Sequence, residues 1–332
     1  MLLNKRGHER GFLCLSTRRR VLMIFFRRTI FVWTAIFAEG ALANAASYVY
    51  TSINVPGAAT SPAATGINDS GQIAGYYSSP SSFEGFFDSG GTFTTISVPG
   101  SSGTQALGTN NAGQIVGTFL TSVGGQNGFL YSSGATTALN VFGSSFAEAT
   151  DINNHGQITG FYSDNSGYSG FLDVNGTFTT LRVPGSSGTQ PFGINDTGQI
   201  VGIYTDNVGA AHAFLYSGGT FTPIVDPNDP FAYATGINNL GQIVGYFTTA
   251  SGYAAFLDVN GSFTTLNVPD SSGTQAFGIN DIGQIVGIYF DSAGNQQAFL
   301  ATPEAATPEP STGLLISVGT VAYVLYRSRR RS

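Results

Sequence analysis

Between residues 191 and 224 the chain falls into four short apolar-rich runs. They read "PFGIN" (191–195), "QIVGIY" (199–204), "HAFLYS" (212–217) and "TFTPI" (220–224). The turns "DTG" and "GG" and the loop "TDNVGAA" divide them. Runs of five or six β-formers between Gly, Asn and Asp predict an antiparallel meander. The same pattern recurs along the middle of the chain. Its marker is Asn-(Asp/Asn)-x-Gly-Gln, whose Gly stands at Gly71, Gly113, Gly156, Gly198, Gly241 and Gly283. The spacing is 42 or 43 residues throughout, a period typical of propellers and solenoids. A longer rhythm overlies it. "VPGSSGTQ" begins at Val98 and Val183, and "VPDSSGTQ" at Val268, ahead of the second, fourth and sixth copies only. The building unit is therefore an 85-residue pair, present three times.

Four short strands per copy match the blade of a β-propeller. The ends of the array favour a ring. "YVYTSINVP" (48–56) resembles the fourth-strand text "FTTISVP" and "FTTLNVP", with no blade ahead of it. "QQAFLATPE" (296–304) is a third strand with no fourth strand behind it. Pairing the two removes open sheet edges. The expected fold is all-β: a six-bladed β-propeller-like ring of four-stranded repeats over 46–301, with pseudo-threefold character. A β-solenoid or β-prism-like stack is the alternative.

Charge divides the chain into three regions. Residues 1–28 hold one Lys, seven Arg and one Glu. Residues 47–301 hold fifteen acidic residues and one basic residue, Arg182, a net charge near -14. The last six residues hold four Arg. The acidic middle has the wrong sign for a phosphate backbone, which argues against nucleic acid. It suits divalent cations or neutral glycans better. The lone cysteine, Cys14, permits no intrachain disulfide, so stability must come from the core. Leu13 before it is too large for the usual lipid-attachment signal.

The two ends read as addresses. "MIFFRRTIFVWTAIFAEGALANA" (23–45) has a basic start, an apolar run and small residues up to Ala43 and Ala45. That order predicts a signal helix with cleavage near those alanines; a short membrane anchor is the alternative. Met1 and Met23 are both candidate starts. At the other end, a Pro-rich spacer (302–310) leads into an apolar helix and an arginine cluster (311–332). Pro308-Glu309-Pro310, the apolar run and Arg327, Arg329, Arg330 and Arg331 stand in that order. This tail resembles the PEP-CTERM sorting signal of Gram-negative bacteria. The resemblance implies cleavage by an exosortase-type protease, transient anchoring in the inner membrane, and delivery to the cell surface. It also implies association with exopolysaccharide and biofilm. A plain C-terminal anchor is the alternative reading.

A second resemblance covers residues 48–300. "HAFLYSGGTF" (212–221) with "GINDTGQIVG" upstream is similar to bacterial extracellular repeats named for a His-Ala-Phe signature. Only His212 keeps the His; the other copies read "EGFF" (84–87), "NGFL" (127–130), "SGFL" (169–172), "AAFL" (254–257) and "QAFL" (297–300). This family implies architecture and location, and no mechanism.

Candidate chemistry is sparse. The marker turns carry Asn68/Asp69, Asn110/Asn111, Asn153/Asn154, Asn195/Asp196, Asn238/Asn239 and Asn280/Asp281. Their oxygens make calcium the one candidate cofactor, but a calcium loop wants more carboxylates and a closing Glu. Asn and Asp bonding their own backbone, with Gly at positive φ, explains the turns without metal. These turns also resemble the Asp-boxes of sialidases, yet those enzymes use an arginine triad and the core holds only Arg182. Gly75, Gly117, Gly160, Gly202, Gly245 and Gly287 lie in a meander without Lys or a following helix. That rules out a phosphate loop and points to close sheet packing.

His155 and His212 occupy different repeat positions and read as structural, with a shared metal site or a catalytic pair as the alternative. Glu84 and Glu148 are the one candidate glycosidase pair. Aromatics follow the second strand of every copy: Tyr76, Tyr77, Phe119, Phe161, Tyr162, Tyr204, Tyr246, Phe247, Tyr289 and Phe290. Most are expected between blades, and some at a rim where sugars stack. The expected function is an exported surface or matrix protein with a non-catalytic binding or structural repeat domain. The alternative is a polysaccharide-active enzyme with its site in the channel.

Overall fold

A computed structural model describes residues 47–304, apart from 59, 81, 166, 227–230 and 251. Ala43 and Ala45, the expected sorting motif Pro308, Glu309 and Pro310, and the arginines at 327 and 329–331 lie outside the described residues, as do the segments expected to form the two flanking helices.

Strand β1 (Tyr48–Ile53) comes first. Blade 1 is β2 (Thr60–Ile67), β3 (Ile73–Ser78), β4 (Phe83–Ser89) and β5 (Thr92–Ile96). Blade 2 is β6 (Gly103–Thr109), β7 (Ile115–Leu120), β8 (Gln126–Ser132) and β9 (Ala135–Leu139). Blade 3 is β10 (Ala147–Ile152), β11 (Ile158–Asp164), β12 (Gly167–Val174) and β13 (Thr177–Leu181). Blade 4 is β14 (Gly188–Ile194), β15 (Ile200–Thr205), β16 (Ala211–Ser217) and β17 (Thr220–Ile224). Blade 5 is β18 (Tyr233–Ile237), β19 (Ile243–Thr249), β20 (Gly252–Val259) and β21 (Ser262–Leu266). The sixth sheet runs β1-β24-β23-β22, from β22 (Gly273–Ile279), β23 (Ile285–Phe290) and β24 (Gln296–Pro303).

The molecule is a six-bladed β-propeller. The N-terminal strand completes the last blade, pairing antiparallel with β24 from Tyr48↔Pro303 to Ile53↔Ala298. Inner strand β2 packs against β22 and β23, so the array closes and the solenoid alternative falls. The first strand of each even blade starts earlier than its apolar run suggests. In blade 4, Gly188, Thr189 and Gln190 already pair with Thr205, Tyr204 and Ile203. The sequence pattern assigns them to the connecting loop because they are small or polar.

One side-chain arrangement holds every blade. The second-strand Gly faces a third-strand Phe: Gly75↔Phe86, Gly117↔Phe129, Gly160↔Phe171, Gly202↔Phe214, Gly245↔Phe256 and Gly287↔Phe299. All six rings are at most 1 % exposed, and each such burial contributes about 2–3 kcal/mol. The ring lies over the glycine. A Cβ on Gly245 would sit 1.9 Å from the Tyr233 carbonyl oxygen and 2.7 Å from Phe256 Cζ. Six apolar clusters fill the gaps between blades; Val201, Ala213, Ala234, Ile237 and Phe256 join blades 4 and 5.

A second recurring device aims side chains at the axis. Every inner pair carries a bulge, at Ala64/Gly66, Ala106/Gly108, Ala149/Asp151, Pro191/Gly193, Ala234/Gly236 and Ala276/Gly278. The skipped residues are Thr65, Leu107, Thr150, Phe192, Thr235 and Phe277. A bulge re-aims a side chain, and all six line the central channel.

Candidate functional site

The channel has two unlike mouths. One is built from the marker turns between the first and second strands. At each turn the first Asn curls over its own backbone: Asn195 Oδ1 accepts from Thr197 N (3.1 Å) and Gln199 N (3.0 Å). The turn glycines have φ of 70–79°, the left-handed region that glycine enters without strain. The asparagine then reaches into the next blade. Asn68 Nδ2 donates to Asn110 O, Asn110 to Asn153, Asn153 to Asn195, Asn195 to Asn238, Asn238 to Asn280, and Asn280 back to Asn68, all at 2.9–3.0 Å. These asparagines are 3–4 % exposed.

A second closed ring lies beside the first. Asp69 N donates to Asn111 Oδ1, and the chain of bonds continues through Asn154, Asp196, Asn239 and Asp281 back to Asp69 Oδ1, at 2.7–2.9 Å. The three Asn of this ring serve the three Asp. Asn111 Nδ2 donates to Asp69 Oδ2, Asn154 and Asn239 both donate to Asp196 Oδ2, and Asn239 also donates to Asp281 Oδ2. Every carboxylate oxygen in the ring thus already accepts an N–H. The opening left is about 60 Å³. No cluster of three or more metal-ligating side chains occurs among the described residues.

Behind this mouth the channel narrows. Five blades present glycine there: Gly66, Gly108, Gly193, Gly236 and Gly278. Blade 3 presents Asp151 instead. Its Oδ1 accepts from Ile152 N and its Oδ2 from Ile194 N, each at 2.9 Å. The lumen touches Asp151, but protein crowds it on every side. That desolvation outweighs the two N–H donors and pushes its carboxyl up to about 7.

The other mouth is aromatic, with a cavity of about 220 Å³. Its lining follows the 85-residue pair. Odd blades give Thr65, Thr150 and Thr235; even blades give Leu107, Phe192 and Phe277. Each Thr hydroxyl donates across the blade gap, as Thr235 Oγ1 does to Ala276 O at 2.8 Å, so these hydroxyls turn only lone pairs to the lumen. Tyr76 and Tyr246 rise beside them from the second strands of blades 1 and 5. Tyr246 stacks on Tyr233 (5.0 Å, 3°) and meets Phe277 edge-on (6.3 Å, 87°). Burial, then the neighbouring Tyr233 and Tyr253, push its hydroxyl up to about 12.

Glu148 breaks this symmetry. Its place is taken by Ala63 and Tyr233 in the other odd blades. Gln126 Nε2 of the preceding blade donates to Glu148 Oε1 at 2.6 Å. Oε2 accepts nothing from the described residues. Burial raises the Glu148 carboxyl above its ordinary range, with Gln126 opposing. Burial and then the Glu148 charge raise the Tyr76 hydroxyl.

The structure separates the other candidates. Glu84 accepts from Tyr77 Oη (2.8 Å), and Tyr77 packs in the gap between blades 6 and 1. Glu84 therefore does not share the channel with Glu148, and the expected glycosidase pair does not form. His155 lies in the β10–β11 turn, 4.0 Å from Asp196. His212 sits at the other end of its blade, bonded to Asp206 Oδ2 (2.9 Å) and stacked on Tyr204 (5.1 Å). That bond, then the Ala210 N–H, hold Asp206 below its ordinary range. Arg182 donates to Ser169 Oγ (3.0 Å), with Asp164 Oδ2 at 3.9 Å.

Among the predicted aromatics, Tyr76 and Tyr246 reach the mouth, and Phe161 supports Phe192 edge-on (6.2 Å). Tyr77, Phe119, Tyr162, Tyr204, Phe247 and Tyr289 pack between blades. Phe290 stacks on Tyr253. Sequence reasoning missed Phe192, Phe277 and Asp151.

No family model and no curated relative matches the chain. Solved structures similar to it include β-propellers. A mutant of AofleA from Arthrobotrys oligospora is 12% identical, with TM-score 0.49 over 76% of this chain and 86% of that one. The β-propeller domain of the Trilobed protease from Pyrococcus furiosus, described as having an open velcro topology, is 8% identical, with TM-score 0.47 over 76% and 100%. A six-bladed fungal lectin, the Aleuria aurantia lectin with its fucose recognition mode, is 13% identical, with TM-score 0.47 over 74% and 96%.

Proposed function

We propose that this is an exported cell-surface or matrix protein whose propeller binds a ligand, without chemistry, at the aromatic mouth. The observation that carries the reading is the set of six bulge residues aimed into one cavity beside Tyr76, Tyr246 and Glu148. Bulges that only closed the ring would need no aromatics in the lumen. A pocket with a mostly apolar wall and few polar groups is the usual form of a ligand site.

Delivery rests on the two sequence addresses. The Pro308-Glu309-Pro310 tail supports sorting by an exosortase-type protease, and with it a place near exopolysaccharide. The placement of the carboxylates supports a non-catalytic role. Hydrolysis of a glycosidic bond needs two acids flanking it, about 5–10 Å apart. Glu84 faces another gap, and both oxygens of Asp151 accept main-chain N–H groups. Glu148 is left without an acidic partner at the mouth.

The test is a glycan array probed with the full chain and with Tyr76→Ala and Tyr246→Ala. Binding of one polymer class that both variants lose supports the reading. Binding that neither variant alters would move the site elsewhere. A fall in polymer chain length on incubation would instead make the protein an enzyme.

A further inference from the structure

The mouth is asymmetric in charge as well as shape. Among the described residues, no Lys, Arg or His lines it. Its Thr hydroxyls spend their protons on main-chain carbonyls. Tyr76, Tyr246, Phe192 and Phe277 line one lumen from four different blades. Among the described residues, the one carboxylate beside these rings is Glu148, whose Oε1 is fixed by Gln126 and whose Oε2 is unclaimed. The domain around it carries a net charge near -14. An anionic ligand would meet repulsion and no donor of positive charge. A neutral sugar would leave a carboxylate at the mouth without a counterion.

Resting on the reading that this mouth is the binding site, we infer that it takes an organic ammonium head, with Glu148 as counterion and the surrounding rings as a cation–π cage. Aromatic faces attract cations through their quadrupole, more strongly once water is displaced. The cavity of about 220 Å³ has room for one such head with its first attached carbons. The ammonium could belong to a methylated amine or to the free amine of a de-acetylated sugar. Both share the charge, and they differ in how many N–H donors they offer Glu148 Oε2.

The experiment is calorimetric titration of the full chain with choline, its neutral isostere 3,3-dimethylbutanol, glucosamine and N-acetylglucosamine. Choline or glucosamine is expected to bind, and its neutral counterpart at least about tenfold more weakly. Glu148→Gln keeps the shape and the Gln126 contact, and is expected to weaken the cation at least about tenfold. Tyr246→Ala should do the same, and thermal unfolding of both variants checks that they fold. Preference for choline assigns a methylated amine; preference for glucosamine assigns an amino sugar. Equal binding of the neutral isostere, or full binding by Glu148→Gln, overturns the ammonium inference. In that case, loss on Tyr246→Ala alone would leave the mouth standing as the site. Failure of every probe to bind the wild-type chain also overturns the inference, and the glycan array then decides the broader reading separately.

Discussion

The two mouths of this channel are made from the same six inner strands, yet they obey different periods. At the turn mouth the text repeats in every copy: six asparagines make six equivalent bonds to the next blade. At the aromatic mouth it repeats in every second copy, Thr alternating with Leu or Phe, and Glu148 breaks even that. The difference is one of constraint. A closed ring of hydrogen bonds fails wherever one member is missing, so each copy must contribute. A cavity needs only the right residues on some sides. Full repetition therefore marks the joint, and reduced symmetry marks the surface free to bind.

That contrast can be broken experimentally. The largest effect is expected from Asn195→Ala, which strands partners in blade 4 and blade 5 at a site 3 % exposed. It should cost about 3 kcal/mol or more in chemical denaturation, while ligand binding at the far mouth stays within about twofold wherever the chain remains folded.

Next is the waist. The Asp151 carboxyl is raised from its ordinary 3.8 to about 7 in the folded chain. The folded state then holds a proton that the unfolded state has lost. Its stability contribution is full below about pH 4 and falls as pH rises to about 7. Asp151→Asn should flatten this slope, narrowing the difference in Tm between pH 5 and pH 8 by about 5 °C.

Thr235→Val, which removes one hydroxyl bridge between blades 5 and 6, should cost about 1 kcal/mol. Asp69→Asn is expected to fall within about 0.5 kcal/mol. It keeps Oδ1 for Asp281 N and relieves the one adjacent acidic pair, while losing an acceptor for Asn111. A large loss there would mean that the Asp–Asn pairing, and not the inner asparagine ring, holds the mouth.

Much of the ring was legible in the text. The 42- and 43-residue spacing predicts blades because pairing within a blade is local and periodic, and the orphan strand "YVYTSINVP" predicts closure because the last copy lacks a fourth strand. The paired glycine and phenylalanine were each visible, though only the register places one over the other. The marker turn reads as a turn, but its bonds to the next blade depend on curvature that brings six distant turns to one axis. Glu148 stood out as an acid, and its pairing with Glu84 failed because Glu84 stands on β4, the third strand out from the channel, while Glu148 stands on the inner strand β10. Asp151 carried a signal: it opens the only marker copy, "DINNHGQITG", that has an acid where the others have glycine. Phe192 and Phe277 stood in "PFGIN" and "AFGIN", but period-two reasoning cannot say that a bulge turns them inward.

The closing strand also sets how the domain bears load. Glu304 N donates to Ser47 O at 2.8 Å, so the chain enters and leaves the domain at one point. A pull that parts these two ends would open the β1–β24 ladder from Tyr48↔Pro303 inward, one pair at a time. Such a zipper yields at lower force than a lap joint, in which all six pairs must break together. A pull between the exit point and a ligand held at the channel mouth would not peel that ladder, and would be shared among the blades.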